Sequence, residues 1–155
     1  MIRIFALISW CLAAGAAAAQ DADDQTIPQA WDADRSIVFD ATSLDIDDLI
    51  WIARPVVVFA DSPNDPRFRQ QLELLADLPD DLAERDVIIL TDTDPSAQSA
   101  LRTRLRPRGF MLVLIGKDGQ IELRKPQPWD VREISRSIDK MPLRQQEIED
   151  RRLLP

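Results

Sequence analysis

The sequence has 155 residues, 45% hydrophobic and 30% charged, which is enough apolar material for one globular domain with a buried core. It contains no histidine, no tyrosine and one cysteine, which excludes imidazole bases and ligands, Ser-His and Cys-His nucleophile pairs and zinc sites of the usual kind. With 27 acidic against 19 basic residues the net charge is −8, so the chain repels a phosphate backbone and bulk charge gives no support for nucleic-acid binding.

The chain opens with MIRIFALISWCLAAGAAAAQ: one positive charge at Arg3, an apolar stretch from Ile4 and an alanine-rich end. This is the layout of a secretory signal peptide over residues 1–19, with Ala17 and Ala19 suited to the peptidase pockets. The stretch falls short of the roughly 20 apolar residues that span a bilayer, and Trp10 stands before Cys11 where a lipobox needs a small residue. A periplasmic or secreted protein without a stable membrane anchor is therefore expected. Cleavage removes Arg3 and no acid, leaving 27 acidic and 18 basic residues, or −9. It also removes Cys11, and with it disulfide and thiol chemistry.

Residues 20–35 are acidic and lack an apolar period, so they read as a poorly ordered N-terminus. The domain is expected over 36–141. SIVFD (36–40) reads as a short strand. SLDIDDLIWIA (43–53), with Ile46, Leu49, Ile50 and Ala53 on one face, Ser43 as cap and Pro55 as breaker, reads as a helix. VVVFA (56–60) is a continuous apolar run suited to a buried strand. Asp65-Pro66 then caps a helix carrying Phe68, Leu72, Leu75 and Leu78, which Pro79 ends. DVIILTD (86–92) is a second buried strand, and Asp94-Pro95 opens a helix with Ala97, Ala100, Leu101 and Leu105 on one face. FMLVLIG and QIELRK form a hairpin about Asp118-Gly119. Asp130 and Glu133 begin a helix with the stripe Val131, Ile134, Ile138 and Met141. A charged helical tail, 142–155, reads as solvated, and Trp51 and Trp129 as core or half-buried packing residues.

Strand-helix units followed by a hairpin and C-terminal helices resemble the thioredoxin fold, a three-layer α/β/α sandwich, over most of 36–141. FMLVLIGKDGQ looks like the strand and turn that follow the cis-proline of thioredoxins, and RGFMLVLIGKDG is similar to a peroxiredoxin stretch. VVVFADSPNDPRF, VIILTDTDP and RGFMLVLIGKDG together resemble the bacterial branch of the DUDES family of thioredoxin-like domains of unknown function. The resemblance places the fold's dithiol at DSPNDP, near Ser62 and Asp65, neither of which forms a thiolate. Met111 takes the place of the cis-proline, Pro107 lies nearby, and Arg108 is the one suggestive remnant of a peroxidase site. No redox activity is implied.

The candidate binding edge is Asp61, Ser62, Asn64, Asp65 and Arg108, at the strand-to-helix junction where α/β sheets place their ligands. Asp61, Asp65, Asp92 and Asp94 form a weaker candidate for Mg²⁺ or Ca²⁺, and with it for a non-thiol, metal-assisted activity, although capping accounts for Asp65 and Asp94 without a metal. Arg102, Arg104, Arg106 and Arg108 read either as an anion site or as solvated arginines near a helix end. Ser62 lacks a base and has a turn role. No cofactor is expected; the partner is an unspecified protein or small ligand.

Overall fold

Apolar runs without alternation require burial on both faces, and the computed structural model shows how this chain provides it. It describes residues 26–42 and 44–153; the leader, its cleavage point, the stretch up to Gln25 and the cap assigned to Ser43 lie outside the described residues. A five-stranded sheet has the order β1-β3-β2-β4-β5, built from β1 (Val38–Asp40), β2 (Arg54–Phe59), β3 (Val87–Asp92), β4 (Met111–Ile115) and β5 (Ile121–Lys125). β1, β3 and β2 run parallel; β4 is antiparallel to β2, and β5 to β4. The hairpin turns at Gly119, whose φ of +77° an L side chain adopts only with strain.

Alternate residues of β2 supply two cores. Val56 and Val58 pack with Phe68 and Leu75 of α2 (Pro66–Ala76), Leu82 of α3 (Pro79–Ala83) and Ile134 and Ile138 of α5 (Val131–Asp139). Val57 and Phe59 face the other way, onto Trp31 of α1 (Ile27–Ala33), Leu49 and Leu101 and Leu105 of α4 (Ala100–Leu105). These are the three expected layers. Among the described residues no helix is long and apolar enough to cross a membrane.

Several local readings are corrected. Residues 27–33 are ordered as α1, because Trp31 is 2% exposed, donates its indole N–H to Val87 O at 3.2 Å and lies under the Arg35 guanidinium. The helix expected over 43–53 shrinks to a 3-10 turn at Ile46–Leu49, capped by Asp45. Its apolar spacing is kept, but the chain then turns at Trp51 with φ +65° to start β2 at Arg54. Trp51 is consequently 65% exposed rather than packed. Pro55 does not break β2. The amides of Arg54 and Ala60 donate toward β3, to Asp86 O and Asp92 O, so the proline nitrogen, of opposite parity, points toward β4, whose pairing begins only at Val56. The helix expected from Asp94 is divided: Asp94 caps a turn at Pro95–Ala97, Gln98 adopts φ +45°, and Ser99 caps α4.

The C-terminal tail is also not a free solvated helix. In α6 (Pro142–Leu153) Arg144 is 1% exposed, bonded to Glu84 Oε1 at 3.0 Å and close to Glu147 and Asp139. Glu147 in turn reaches back to Arg54 and Lys117, each at 2.9 Å.

Candidate functional site

The DSPNDP junction forms because β2 must stop while α2 must start, and Ser62, Asn64, Asp65 and Pro66 carry that change. Ala60 makes the last ladder bond, to Asp92 O at 3.0 Å. Ser62 Oγ accepts from the Asn64 amide at 3.1 Å, and the Asp65 amide donates to Ser62 O at 3.1 Å, which is the turn role expected of Ser62. Asp65 caps α2 by accepting from the Arg67 amide at 2.8 Å, with Pro66 at the first helical position. The Arg67 guanidinium folds back onto the same carboxylate at 3.2 Å. These hydrogen bonds with Arg67, chiefly the side-chain one, hold the Asp65 carboxyl below its ordinary pKa, against a smaller upward push from desolvation. Arg69 donates to Asn64 O, closing the loop against α2.

The opposite wall is the segment between α4 and β4. Arg67 lies over the Phe110 ring at 5.5 Å. A Cβ on Gly109, whose φ is +62°, would sit 3.8 Å from both Arg67 Nη2 and Asp61 Oδ2. Asp61, Arg67 and Gly109 are thus neighbours. Asp61, Asn64 and Arg108 are exposed, while Ser62 and Asp65 are half-buried.

Beneath this edge, Asp92 ends an apolar strand with 1% exposure. A carboxylate so placed needs a charged partner, and Arg102 supplies it through Nε at 2.8 Å. Ser99 Oγ adds a hydrogen bond to Asp92 at 2.6 Å, and the Asp94 amide another at 3.2 Å. The Arg102 guanidinium also donates to Ala60 O and to Asp92 O. One arginine therefore ties together the ends of β2 and β3 and the first turn of α4. Reading Arg102 with the solvated arginines is corrected: its side chain is 10% exposed. The remaining run disperses, with Arg104 paired to Asp47 at 3.1 Å and Arg106 and Arg108 exposed. All peptide bonds of the described residues, including that before Pro107, are trans.

The four carboxylates weighed for a cation are not brought together. Asp92 is closed off by Arg102 and Ser99. Asp65 faces Arg67. Asp94 turns onto Ser96, whose side-chain and backbone hydrogen bonds lower its pKa. Asp61 and Asp94 are exposed, and Asp61 has Arg102 Nη1 3.9 Å away. Among the described residues no three Asp, Glu, His or Cys side chains converge as a metal-holding group. What the edge offers chemically is a fixed loop with exposed hydrogen-bonding groups, and no nucleophile paired with a base. The pin at Arg102 escapes sequence reasoning, although an aspartate closing an apolar strand is itself a call for a cation.

The matches to known proteins agree with this geometry. The model of the family described as "Domain of unknown function (DUF4174)" matches residues 45–147. Among solved structures the chain is similar to chloroplastic thioredoxin z, with TM-score 0.51 and 17% identity over 66% of this chain and 92% of that one. It is also similar to thioredoxin peroxidase I of Plasmodium yoelii, with TM-score 0.45 and 17% identity over 66% of this chain and 80% of that one. No curated protein matches the sequence. The sheet order, the two helical layers and the likeness to thioredoxin z make the fold thioredoxin-like, and by the span of the family match the chain belongs to the DUF4174 family of domains of unknown function.

Proposed function

We propose that this protein is an exported thioredoxin-fold module that works by recognition, binding a protein or small ligand at the DSPNDP edge without thiol chemistry. One observation carries the reading. At the junction where the resemblance puts a dithiol, Ser62 and Asp65 are occupied as turn and cap, and what reaches solvent is Asp61 and Asn64 on a loop held by Arg67, Arg69 and Arg102. A loop fixed before binding loses little conformational freedom on binding, which favours recognition. The leader supports a periplasmic or secreted location, and the acidic balance argues against a nucleic-acid partner. The joint motifs support a place in the bacterial DUDES branch.

The test is retention of proteins from thiol-alkylated periplasmic extract on the immobilised protein, compared with an Asp61→Arg/Asn64→Arg variant. The expected result is a retained partner that survives alkylation and is lost with the variant. Identical retained sets would remove the assignment of binding to this edge.

A further inference from the structure

The opposite end of the sheet carries a second surface. The six residues of β2 put roughly 20 Å between it and the DSPNDP edge, and its argument does not rest on the proposed function. Trp51 is 65% exposed and adopts φ +65°, a region that bulky L residues avoid. The turn is held there from both sides: the Trp51 amide donates to Lys117 O at 2.7 Å, and the Ile52 amide to Leu49 O at 3.0 Å. Ile50 packs over Gly119, with its Cδ1 3.6 Å from where a Cβ would stand. The turn is thereby fixed against the β4-β5 hairpin, where Ile121, opposite Ile115 in the register, is 43% exposed. Ile52, next in the chain, is also exposed, at 44%.

The chain segments around this exposed apolar turn are acidic. Asp47 and Asp48 lie one turn before Trp51, and the Ile50 amide bonds Asp47 O at 3.2 Å. Asp118 follows the residue that accepts from Trp51, and the Asp118 and Glu122 carboxylates lie 2.6 and 3.1 Å from a Cβ position on Gly116. All four acids are exposed. Arg104 offsets one of them, Asp47, which leaves Asp48, Asp118 and Glu122 outside the salt bridges of the described residues, and Lys117 is engaged with Asp86 and Glu147. This charge selects the occupant. An anionic membrane surface is repelled, and a second copy would bring the same acids into contact. A segment with an apolar side chain between lysines or arginines satisfies both the tryptophan and its rim.

We infer that the Trp51 turn is a docking surface for a basic, apolar peptide segment of another protein, with Trp51 as the anchor. Anchors of this kind are aromatic, and their truncation weakens binding strongly. The test uses a short labelled peptide of alternating lysine and leucine, followed by fluorescence anisotropy, with counterparts in which lysine becomes glutamate or leucine becomes serine. The lysine-leucine peptide is expected to bind, to weaken in about 0.5 M salt, and to bind at least about tenfold more weakly to Trp51→Gly. Glycine accepts the positive φ, so this variant keeps the fold, which its circular dichroism and unfolding midpoint check. Equal affinity of wild type and Trp51→Gly overturns the inference, and so does equal binding of the glutamate or serine peptide. A dimer that Trp51→Gly dissolves in sedimentation, or vesicle binding that the same variant abolishes, would assign the patch to another occupant and overturn it as well.

Discussion

Asp92 and Arg102 set the character of the candidate edge at the scale of single residues. A carboxylate at 1% exposure survives because the guanidinium, a serine hydroxyl and a backbone amide satisfy it together. Removing one partner leaves the other charged and poorly hydrated. Asp92→Ala is therefore expected to lower unfolding stability by about 3–5 kcal/mol, whereas Asp61→Ala, at an exposed position, changes it by no more than about 0.5 kcal/mol; denaturant titration of the two variants measures the contrast. Sequence legibility divides along the same physical line. The caps at Asp65, Asp94 and Asp130 are local, each bonding an amide two or three residues on, so they can be read from neighbouring letters. The pin at Arg102, the burial of Trp31 and the exposure of Trp51 depend on strands that come together only in the folded chain.

Among the elements, α6 departs most from what its composition suggests. Its sequence is charged throughout, yet Arg144 and Glu147 insert into a cluster with Arg54, Lys117, Asp86, Asp139 and Glu84. Arg54 is 0% exposed, so Glu147 from the last helix neutralises a cation at the start of the central strand. Breaking that pair with Glu147→Gln is expected to destabilise the fold by about 3 kcal/mol, and pairing it with Arg54→Met to restore much of the loss. The same cluster predicts acid sensitivity. For Asp86 and Glu147, burial alone pushes the carboxyl pKa up most strongly, but the hydrogen bonds and charges of Lys117 and Arg35 on Asp86, and of Arg54 and Lys117 on Glu147, outweigh it. Asp139 is lowered chiefly by its hydrogen bond from Arg85. With folded values below the unfolded ones of about 4, their stabilisation is complete at pH 7 and is lost as pH falls through the folded values. Thermal unfolding from pH 7 to 3 is expected to show this decline, and Glu147→Gln a shallower one. Periodicity located α2, α5 and the hairpin because one face of each meets a core. It overextended the turn at 46–49 and the helix at 94–105, where the same spacing serves a turn that left-handed residues, Trp51 and Gln98, bring to an end.

Taken whole, the molecule is a sheet with two unlike ends. Continuous apolar strands, each buried on both faces, make the three-layer architecture readable from sequence, and the thioredoxin-like neighbour confirms it. At the C-terminal end of the parallel strands, the corner that the resemblance gives to sulfur chemistry holds a serine turn and an aspartate cap. At the other end, a strained tryptophan turn faces solvent. The candidate edge was legible as a place, since strand-to-helix junctions follow from pattern. Its inner wiring was not, because Arg102 and Gly109 approach Asp61, and Gly109 also Arg67, from segments much further along the chain. The central claim is that the fold acts here through recognition, without a sulfur nucleophile. Its most direct test is turnover of a disulfide substrate and of hydrogen peroxide by the purified protein carrying Cys11→Ser. The expected result is no rate above the thiol-buffer background for either substrate, and sustained catalytic turnover of either one would contradict the account.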